Sequence, residues 1–315
     1  MLTLTDLLDD AKCYDAVRQY RWADGLACPH CGSKRVNKRG KHDKHPERQR
    51  YCCEDCKKEF DDLTGSIFSG RHQPLRVWVS CLYLMGLNIS NQQIAKELNL
   101  HKDDVQKMTS KLRQAVVDKK PEVQLAGEVE FDEVYVTAGH KGHPEAVKKK
   151  GGRGGVASSK GYSSRSKLRG RGTLETEKPP VFGMIARGGD LVIRMLENVQ
   201  QTTIEPIIKA TVVTGTLIFT DEYNIYSRLE SWGFEHKTVC HSTGEYARDE
   251  DGDGFCEVHV NTIEGVWSLL RSWLRPHRGI SQEKLPIYLG FFEFMHNARK
   301  RGKALLGSLL KTVLA

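Results

Sequence analysis

The chain has 315 residues, 39% hydrophobic and 28% charged, a length that accommodates two or three domains with sizeable buried cores. Its 48 Lys plus Arg against 40 Asp plus Glu leave a formal charge of +8, which points to a polyanionic partner. No apolar stretch approaches the ~20 residues of a membrane span, the first ten residues hold three acids and no base, and nine Cys is an odd count for a disulfide framework. Membrane, secreted and organelle-targeted classes are set aside, and a cytoplasmic location is expected.

In chain order, residues 1–26 carry a helical pattern (Leu4, Leu7, Leu8, Ala11, Tyr14, Val17) that runs into Trp22. Residues 28–60 are polar and basic and bear four of the Cys in two Cys-x-x-Cys pairs. Residues 74–117 read as three helices: one from Pro74 to Met85, a short one capped by Ser90, and, after a turn at 99–101, a longer one over 102–117. From Glu128 onward, predicted strands (128–137, 181–187, 191–196, 216–220, 236–240) alternate with predicted helices (203–212, 224–232, 261–274, 284–301), the pattern of a mixed α/β domain. Between the first two strands, residues 139–180 hold eleven Lys or Arg against three Glu and almost no large apolar residue. That segment carries the whole net charge, the rest of the chain being neutral at 37 against 37, and it reads as a flexible basic insertion that packs no core.

Cys28-Pro-His-Cys31 and Cys53-Glu-Asp-Cys56 are two chelating pairs 21 residues apart. Each pair sits on a tight turn, so four thiolates converge in the tetrahedral shell that selects zinc. With all four positions filled by protein, the zinc is structural and leaves no open place for chemistry. Cys52 is the competing ligand, but only Cys53 keeps the two-residue spacing to Cys56, and His30 is expected to be exposed. The basic residues between the pairs (Lys34, Arg35, Lys38, Arg39, Lys41, Lys44) offer a surface for phosphates.

The three-helix segment has the count and lengths of a helix-turn-helix module, with Lys102, Gln106, Lys107, Ser110, Lys111 and Arg113 presented to a DNA groove or backbone. The competing reading is a three-helix bundle whose outer faces are merely solvated.

Acids stand where strands end. In Val129-Glu-Phe-Asp-Glu-Val-Tyr-Val136 the alternation places Asp132 on one face with Glu130 and Val134, and an acid in such a run costs several kcal/mol to bury without a partner such as a metal ion. Asp221 closes the apolar run 216–220, the usual place for site residues on open α/β sheets, although it also suits a cap for the helix expected after it. On the helix over 261–274, Asn261, Glu264, Ser268 and Arg271 share one face while Ile263, Val266, Trp267 and Leu270 anchor the other. Two strand acids and a helix acid suit a pair of Mg²⁺ ions about 3.5–4 Å apart, the arrangement for in-line attack on a phosphodiester; Glu264 alone also suits a solvated pair with Arg271.

Several strings together resemble the bacterial insertion-sequence DDE transposases of the ISXO-like, zinc-ribbon-bearing group, relatives of the eukaryotic Merlin elements. They are Trp22-Ala-Asp-Gly-Leu-Ala-Cys-Pro-His-Cys-Gly32, Arg50-Tyr-Cys-Cys-Glu-Asp-Cys-Lys-Lys-Glu-Phe60, Thr64-Gly-Ser-Ile-Phe68, Val129-Glu-Phe-Asp-Glu133, Thr220-Asp-Glu-Tyr223, His236-Lys-Thr-Val239 and His259-Val-Asn-Thr-Ile-Glu-Gly-Val-Trp-Ser-Leu-Leu270. The resemblance implies an α/β RNase H-like catalytic domain, so the chain is expected to divide into an N-terminal helix plus zinc ribbon over 1–70, the helix-turn-helix segment over 71–120 and that domain over 121–315 with the basic insertion at 139–180. It implies Asp132 and Asp221 as the first two catalytic acids, and Glu264 or Asn261 as the third. Arg271 stands where the pattern usually has Lys, as a cation for a terminal phosphate. Catalytic Mg²⁺ or Mn²⁺ would be held by Asp132, Asp221 and Glu264. The implied partner is double-stranded DNA, both element ends and target, bound by a homo-oligomer that is nucleoid-associated when on DNA. The basic insertion then leaves the sheet close to the site, where Lys148, Lys149, Lys150 and Arg153 would hold DNA by salt-sensitive phosphate contacts. His259 would touch the metal site or a strand phosphate, or be a buried structural residue. The competing function is a domesticated, non-catalytic zinc-ribbon DNA-binding regulator, which degraded carboxylates would favour; the first two are intact.

Overall fold

The computed structural model describes residues 5–140, 173–174, 177–277, 279–300 and 305–314. The chain divides into two compact units, Met1–Lys120 with Arg301–Ala315, and Pro121–Lys300.

In the first unit, helix α1 (Asp10–Arg21) begins where the Asp9 carboxylate accepts from the Ala11 backbone N–H at 2.8 Å, and it buries Cys13, Tyr14, Ala16 and Val17. A three-stranded antiparallel sheet follows, β1 (Val36–His42), β2 (His45–Cys53) and β3 (Glu59–Asp61), in that spatial order. Asp62, fully buried beside β3, accepts from Arg18 Nη1 at 2.7 Å, the Gln49 N–H at 2.7 Å and Tyr51 Oη at 3.0 Å, which ties α1 to this sheet. Helices α2 (Leu75–Gly86), α3 (Asn91–Glu97) and α4 (Lys102–Lys119) come next. Ser90 Oγ caps α3 by accepting from the Gln93 N–H at 3.2 Å. On α4 the buried positions Val105, Met108, Leu112 and Val116 recur every three or four residues, the stripe of an amphipathic helix.

A C-terminal helix, α8 (Leu305–Leu314), packs on α1, α2 and α4 and buries Leu306, Leu309, Leu310 and Val313. The sequence reading ends its helices at 301 and runs the third region to 315; the apolar face of α8 instead completes the core of the first unit.

The second unit is built on a five-stranded mixed sheet of β4 (Glu128–Tyr135), β5 (Pro180–Ala186), β6 (Leu191–Met195), β7 (Leu217–Asp221) and β8 (Glu235–Val239), in the order β6-β5-β4-β7-β8. β4, β5 and β6 form an antiparallel meander, while β7 and β8 run parallel to β4. Alternation sorts β4 between two layers. Val129 and Phe131 join Phe182, Met184 and Ile218 against Ile204 and Ile208 of α5 (Gln201–Thr211). On the opposite face, α6 (Asn261–Leu274) crosses β4 and β5, and α7 (Leu285–Lys300) lies along β6. Edge strand β6 is covered by α7 side chains: the Leu191 N–H donates to Asn297 Oδ1 at 2.8 Å and the Ile193 N–H to Glu293 Oε2 at 2.9 Å, so its outward amides are satisfied.

The predicted helix over 224–232 resolves into two 3₁₀ turns, Asn224–Tyr226 and Glu230–Trp232. Ile225, Tyr226 and Leu229 are buried as an amphipathic helix would require, but Gly233 at φ 94° turns the chain into β8 before a helix develops. The acidic run at 248–254 is spanned by a two-stranded hairpin, β9 (Ala247–Arg248) with β10 (Val258–His259). Among the described residues no helix is long and apolar enough to cross a membrane.

Candidate active site and metal centre

The four predicted zinc ligands converge. Cys28, Cys31, Cys53 and Cys56 bring their sulfurs within 4.8 Å of one another, with Cys28···Cys56 at 3.7 Å and Cys31···Cys53 at 3.5 Å. A tetrahedron with Zn–S of about 2.3 Å has edges of about 3.8 Å, so the donor set fits zinc in both chemistry and spacing. The two turns repeat one design: the Gly32 N–H donates to Cys28 O at 2.9 Å with φ 75°, and the Lys57 N–H to Cys53 O at 3.1 Å with φ 58°. Cys52 lies outside the cluster, its sulfur 3.7 Å from its neighbour's carbonyl, and His30 is exposed. Lys34, Arg35, Lys38, Arg39, Lys41 and Lys44 are all exposed.

On α4, Lys102, Lys107 and Lys111 are exposed. Gln106 is half-buried and accepts from Asn91 Nδ2 at 2.6 Å, which fastens α3 to α4. Arg113 does not belong to the outward face: at 2% exposure it lies in the buried stripe. Lys148, Lys149, Lys150 and Arg153 lie outside the described residues. The base of their insertion is closed by backbone pairing, with the Val136 N–H donating to Pro179 O at 3.3 Å and the Ala138 N–H to Glu177 O at 2.9 Å.

Two of the acids stand on neighbouring strands. The parallel ladder pairs Glu128, Val129 and Glu130 with Leu217, Ile218 and Phe219, so Asp132 and Asp221 each follow the last paired residue of its strand by two positions. Asp132 faces α6: Trp267 Nε1 donates to its Oδ2 at 2.8 Å, and the Glu133 N–H to its Oδ1 at 2.8 Å. Burial pushes the Asp132 carboxyl up to about 6; the Trp267 and Glu133 donors pull against this, and the charges of Asp221 and Glu264 reinforce it. Asp221 also heads the turn after β7, its Oδ1 accepting from the Tyr223 N–H at 3.0 Å. On α6 the predicted faces hold: Ile263, Val266, Trp267 and Leu270 are buried, and Asn261, Glu264, Ser268 and Arg271 are exposed. Asp221 and Glu264 lie close enough for their charges to act on Asp132, yet the oxygens of the three do not all come within 4.8 Å; among the described residues only the four Cys and the Asp249, Asp251, Glu257 set do so.

A glycine makes this arrangement possible. Gly183 pairs with Asp132 across β4 and β5, and a Cβ there would fall 2.3 Å from Trp267 Cη2, 2.6 Å from Cζ2 and 2.9 Å from Ile263 Cδ1. Trp267 is 3% exposed and has nowhere to retreat. Gly183→Ala is therefore expected to destabilise the protein by about 1–3 kcal/mol, as overpacking does, and to displace the indole from Asp132. Thermal denaturation checks this; a wild-type melting temperature contradicts it. Sequence reasoning missed Gly183, Trp267 as a donor, and Glu130 with Arg187. The alternation that placed Asp132 and Glu130 on one face was the available signal for Glu130 alone.

Residues 124–297 match the ISXO2-like transposase domain, and residues 8–59 match the transposase zinc-ribbon domain. The chain belongs to this family of insertion-sequence transposases. A protein in transposable element ISH50 of Halobacterium salinarum is 32% identical over 318 residues, covering 100% of each chain. A transposase-like protein of Haemophilus influenzae is 30% identical over 105 residues, 33% of this chain and 77% of that one. Among solved structures, a pre-cleavage Mos1 transpososome aligns with 75% of this chain and 76% of its own at 10% identity, with a TM-score of 0.26.

Proposed function

We propose that this transposase binds the terminal repeats of its element and cleaves and joins DNA strands at an acid site formed by Asp132 and Asp221 with Glu264 or Asn261. The observation that carries the reading is that Asp132 on β4 and Asp221 at the end of the parallel neighbour β7 lie, with Glu264 of α6, close enough for the latter two charges to act on Asp132. The mixed five-stranded sheet, with its antiparallel meander followed by two parallel strands, supports an RNase H-like domain. Helices α2 to α4, with Ser90 capping α3 and the exposed Lys102, Lys107 and Lys111 on α4, support the helix-turn-helix reading.

The donor set fits a hard divalent cation: it is all oxygen, and the upward push on Asp132 from burial and two neighbouring carboxylates marks a place short of positive charge. Asp132, Asp221 and Glu264 would hold Mg²⁺ or Mn²⁺, with Asn261 one helical turn from Glu264 as the alternative third ligand. Bound there, the cation supplies activation of the attacking oxygen and stabilisation of the leaving one. Within the chain, Trp267 orients Asp132, α6 presents Asn261 and Glu264 on its open face, and Arg271 two turns on offers a cation to a terminal phosphate. Water attacks the strand at the element end first, and the freed 3′-hydroxyl then attacks target DNA. A homo-oligomer on DNA would bring two ends together.

Purified protein, an end-containing duplex, Mg²⁺ and a target plasmid test the reading: the duplex end is expected to become joined to the plasmid. Tight end binding with neither cleavage nor joining would support a DNA-binding regulator instead. The basic insertion has its own test. Residues 141–172 hold ten Lys or Arg and one Glu, and the paired segments flanking them allow a short linker to replace them. Their removal is expected to weaken end binding and to flatten its log–log salt dependence by about 0.9 for each phosphate they neutralise. An unchanged slope would mean that these cations meet no phosphate.

A further inference from the structure

Two acids of β4 reach α6, and only one belongs to the proposed acid site. Glu130, two residues before Asp132 on the same face, is 0% exposed. Its Oε2 accepts from the Ile263 backbone N–H at 3.0 Å, and its Oε1 accepts from Thr262 Oγ1 and from Arg187 Nε, both at 2.8 Å. His259 Nδ1 stands 3.3 Å from the same oxygen.

The first turn of α6 needs this. Its N-cap residue, Val260, has no side-chain acceptor; His259 Nδ1 accepts from the Asn261 N–H at 3.3 Å, and the Ile263 N–H is left to a partner from outside the helix. A carboxylate from a neighbouring strand takes that role and meets the positive end of the helix dipole. Arg187 makes the buried charge tolerable and does more: it donates to Glu257 O at 2.6 Å and His259 O at 2.9 Å, fixing the segment that leads into α6, and its guanidinium lies 3.9 Å from the centroid of the Phe219 ring. A turn further along the helix, Trp267 donates to Asp132. The helix is thus held to β4 at two points, residues 262–263 and 267, about 6–7 Å apart along its axis. Two points fix both its height and its rotation.

We infer that Glu130, held by Arg187, is a positioning residue: by docking the first turn of α6 on β4 it sets where Asn261 and Glu264 stand relative to Asp132 and Asp221, and so sets the divalent-cation affinity of the acid site. The inference rests on the acid-site reading above. It differs from a purely structural role because it ties the Glu130 hydrogen bonds to cation affinity rather than to stability alone.

The test uses the full-length, zinc-loaded protein and Mn²⁺ alone as probe, followed by the loss of the free-ion electron paramagnetic resonance signal. The part of Mn²⁺ binding that disappears in Asp221→Ala reports the acid site. Glu130→Ala would leave the half-buried Arg187 with Glu128 as its remaining carboxylate and strip the first turn of α6 of its acceptor, so milder variants carry the experiment. Thr262→Val deletes one bond to Glu130 while leaving its pair with Arg187, and is expected to raise the Mn²⁺ midpoint about three- to tenfold. Glu130→Gln, which removes the charge and sets an amide NH2 against either the Ile263 N–H or the Thr262 and Arg187 donors, is expected to raise it about tenfold or more, the scale for groups that orient metal ligands. Thr262→Ser, which keeps the hydroxyl, is expected to return the midpoint toward wild type. The Mn²⁺ dependence of end cleavage should shift in parallel, with end binding unchanged. Unchanged Mn²⁺ midpoints in Thr262→Val and Glu130→Gln, or changes confined to the melting temperature, would overturn the inference. Undiminished Mn²⁺ binding and cleavage in Asp221→Ala would instead overturn the acid-site reading.

Discussion

Asp132→Ala and Asp221→Ala are each expected to lose DNA strand cleavage by on the order of 10³-fold or more, the scale of removing one preorganised electrostatic contact from a transition state, while terminal-repeat binding stays at the wild-type level. The two acids come from paired strands far apart in sequence, and Asp132 is half-buried against Trp267 with its carboxyl pushed up to about 6 by burial and by the charges of Asp221 and Glu264. Such a cluster stabilises nothing unless positive charge compensates it. Neither Ala leaves an unpaired charge behind, so the folded protein should survive; each removes a like charge from its neighbours. End binding, measured alongside cleavage, separates loss of chemistry from loss of fold. Wild-type cleavage by either variant would refute the site.

Cys53→Ser, or stripping the zinc with a chelator, is expected to unfold the β1–β3 sheet and to weaken end binding by at least about 100-fold. The core of this small sheet consists of Cys28, Tyr51, Cys53 and Phe60, with Trp22, Leu26, Val36 and Cys56 packed at its margin. Two of the metal ligands are thus part of the core itself and a third packs at its margin, and the remaining apolar surface is too small to hold three short strands together. Structural zinc contributes roughly 10–16 kcal/mol of apparent binding free energy in such modules, which here is folding free energy. Limited proteolysis within residues 28–60, with zinc content and end binding measured on the same samples, checks it. A zinc-free Cys53→Ser protein that resists proteolysis there and binds ends normally would contradict it.

The features legible in the sequence were local. Two Cys-x-x-Cys pairs carry their geometry in their spacing, and the apolar and polar faces of α6 follow from positions three and four apart. The acids of β4 and β7 were visible as acids on strands, but their approach to one another was not. It depends on a parallel pairing between strands about 90 residues apart, which no local pattern encodes. Gly183 shows the same limit, since its reason is a Trp 84 positions later that occupies the place of its side chain. Arg113 misled for another reason. Its period puts it on the buried stripe with Val105, Met108, Leu112 and Val116, yet residue type alone suggested a groove-facing cation. The segment 224–232 shows the converse: the apolar spacing was right, and two 3₁₀ turns satisfied it as well as a helix would. Helix α8 went unread because its partners α1, α2 and α4 lie at the other end of the chain.

The central claim is that Asp132 and Asp221, with an acid or amide from α6, cut DNA at the ends of the element. Its most direct measurement is the position of the cut at nucleotide resolution: purified wild-type protein on a duplex containing the element end, with Mg²⁺ or with chelator, beside Asp221→Ala. A Mg²⁺-dependent break that leaves a 3′-hydroxyl at the element boundary and is absent in the variant is expected. A break that persists in Asp221→Ala or without divalent cation, or no break at a boundary the protein demonstrably binds, would contradict it.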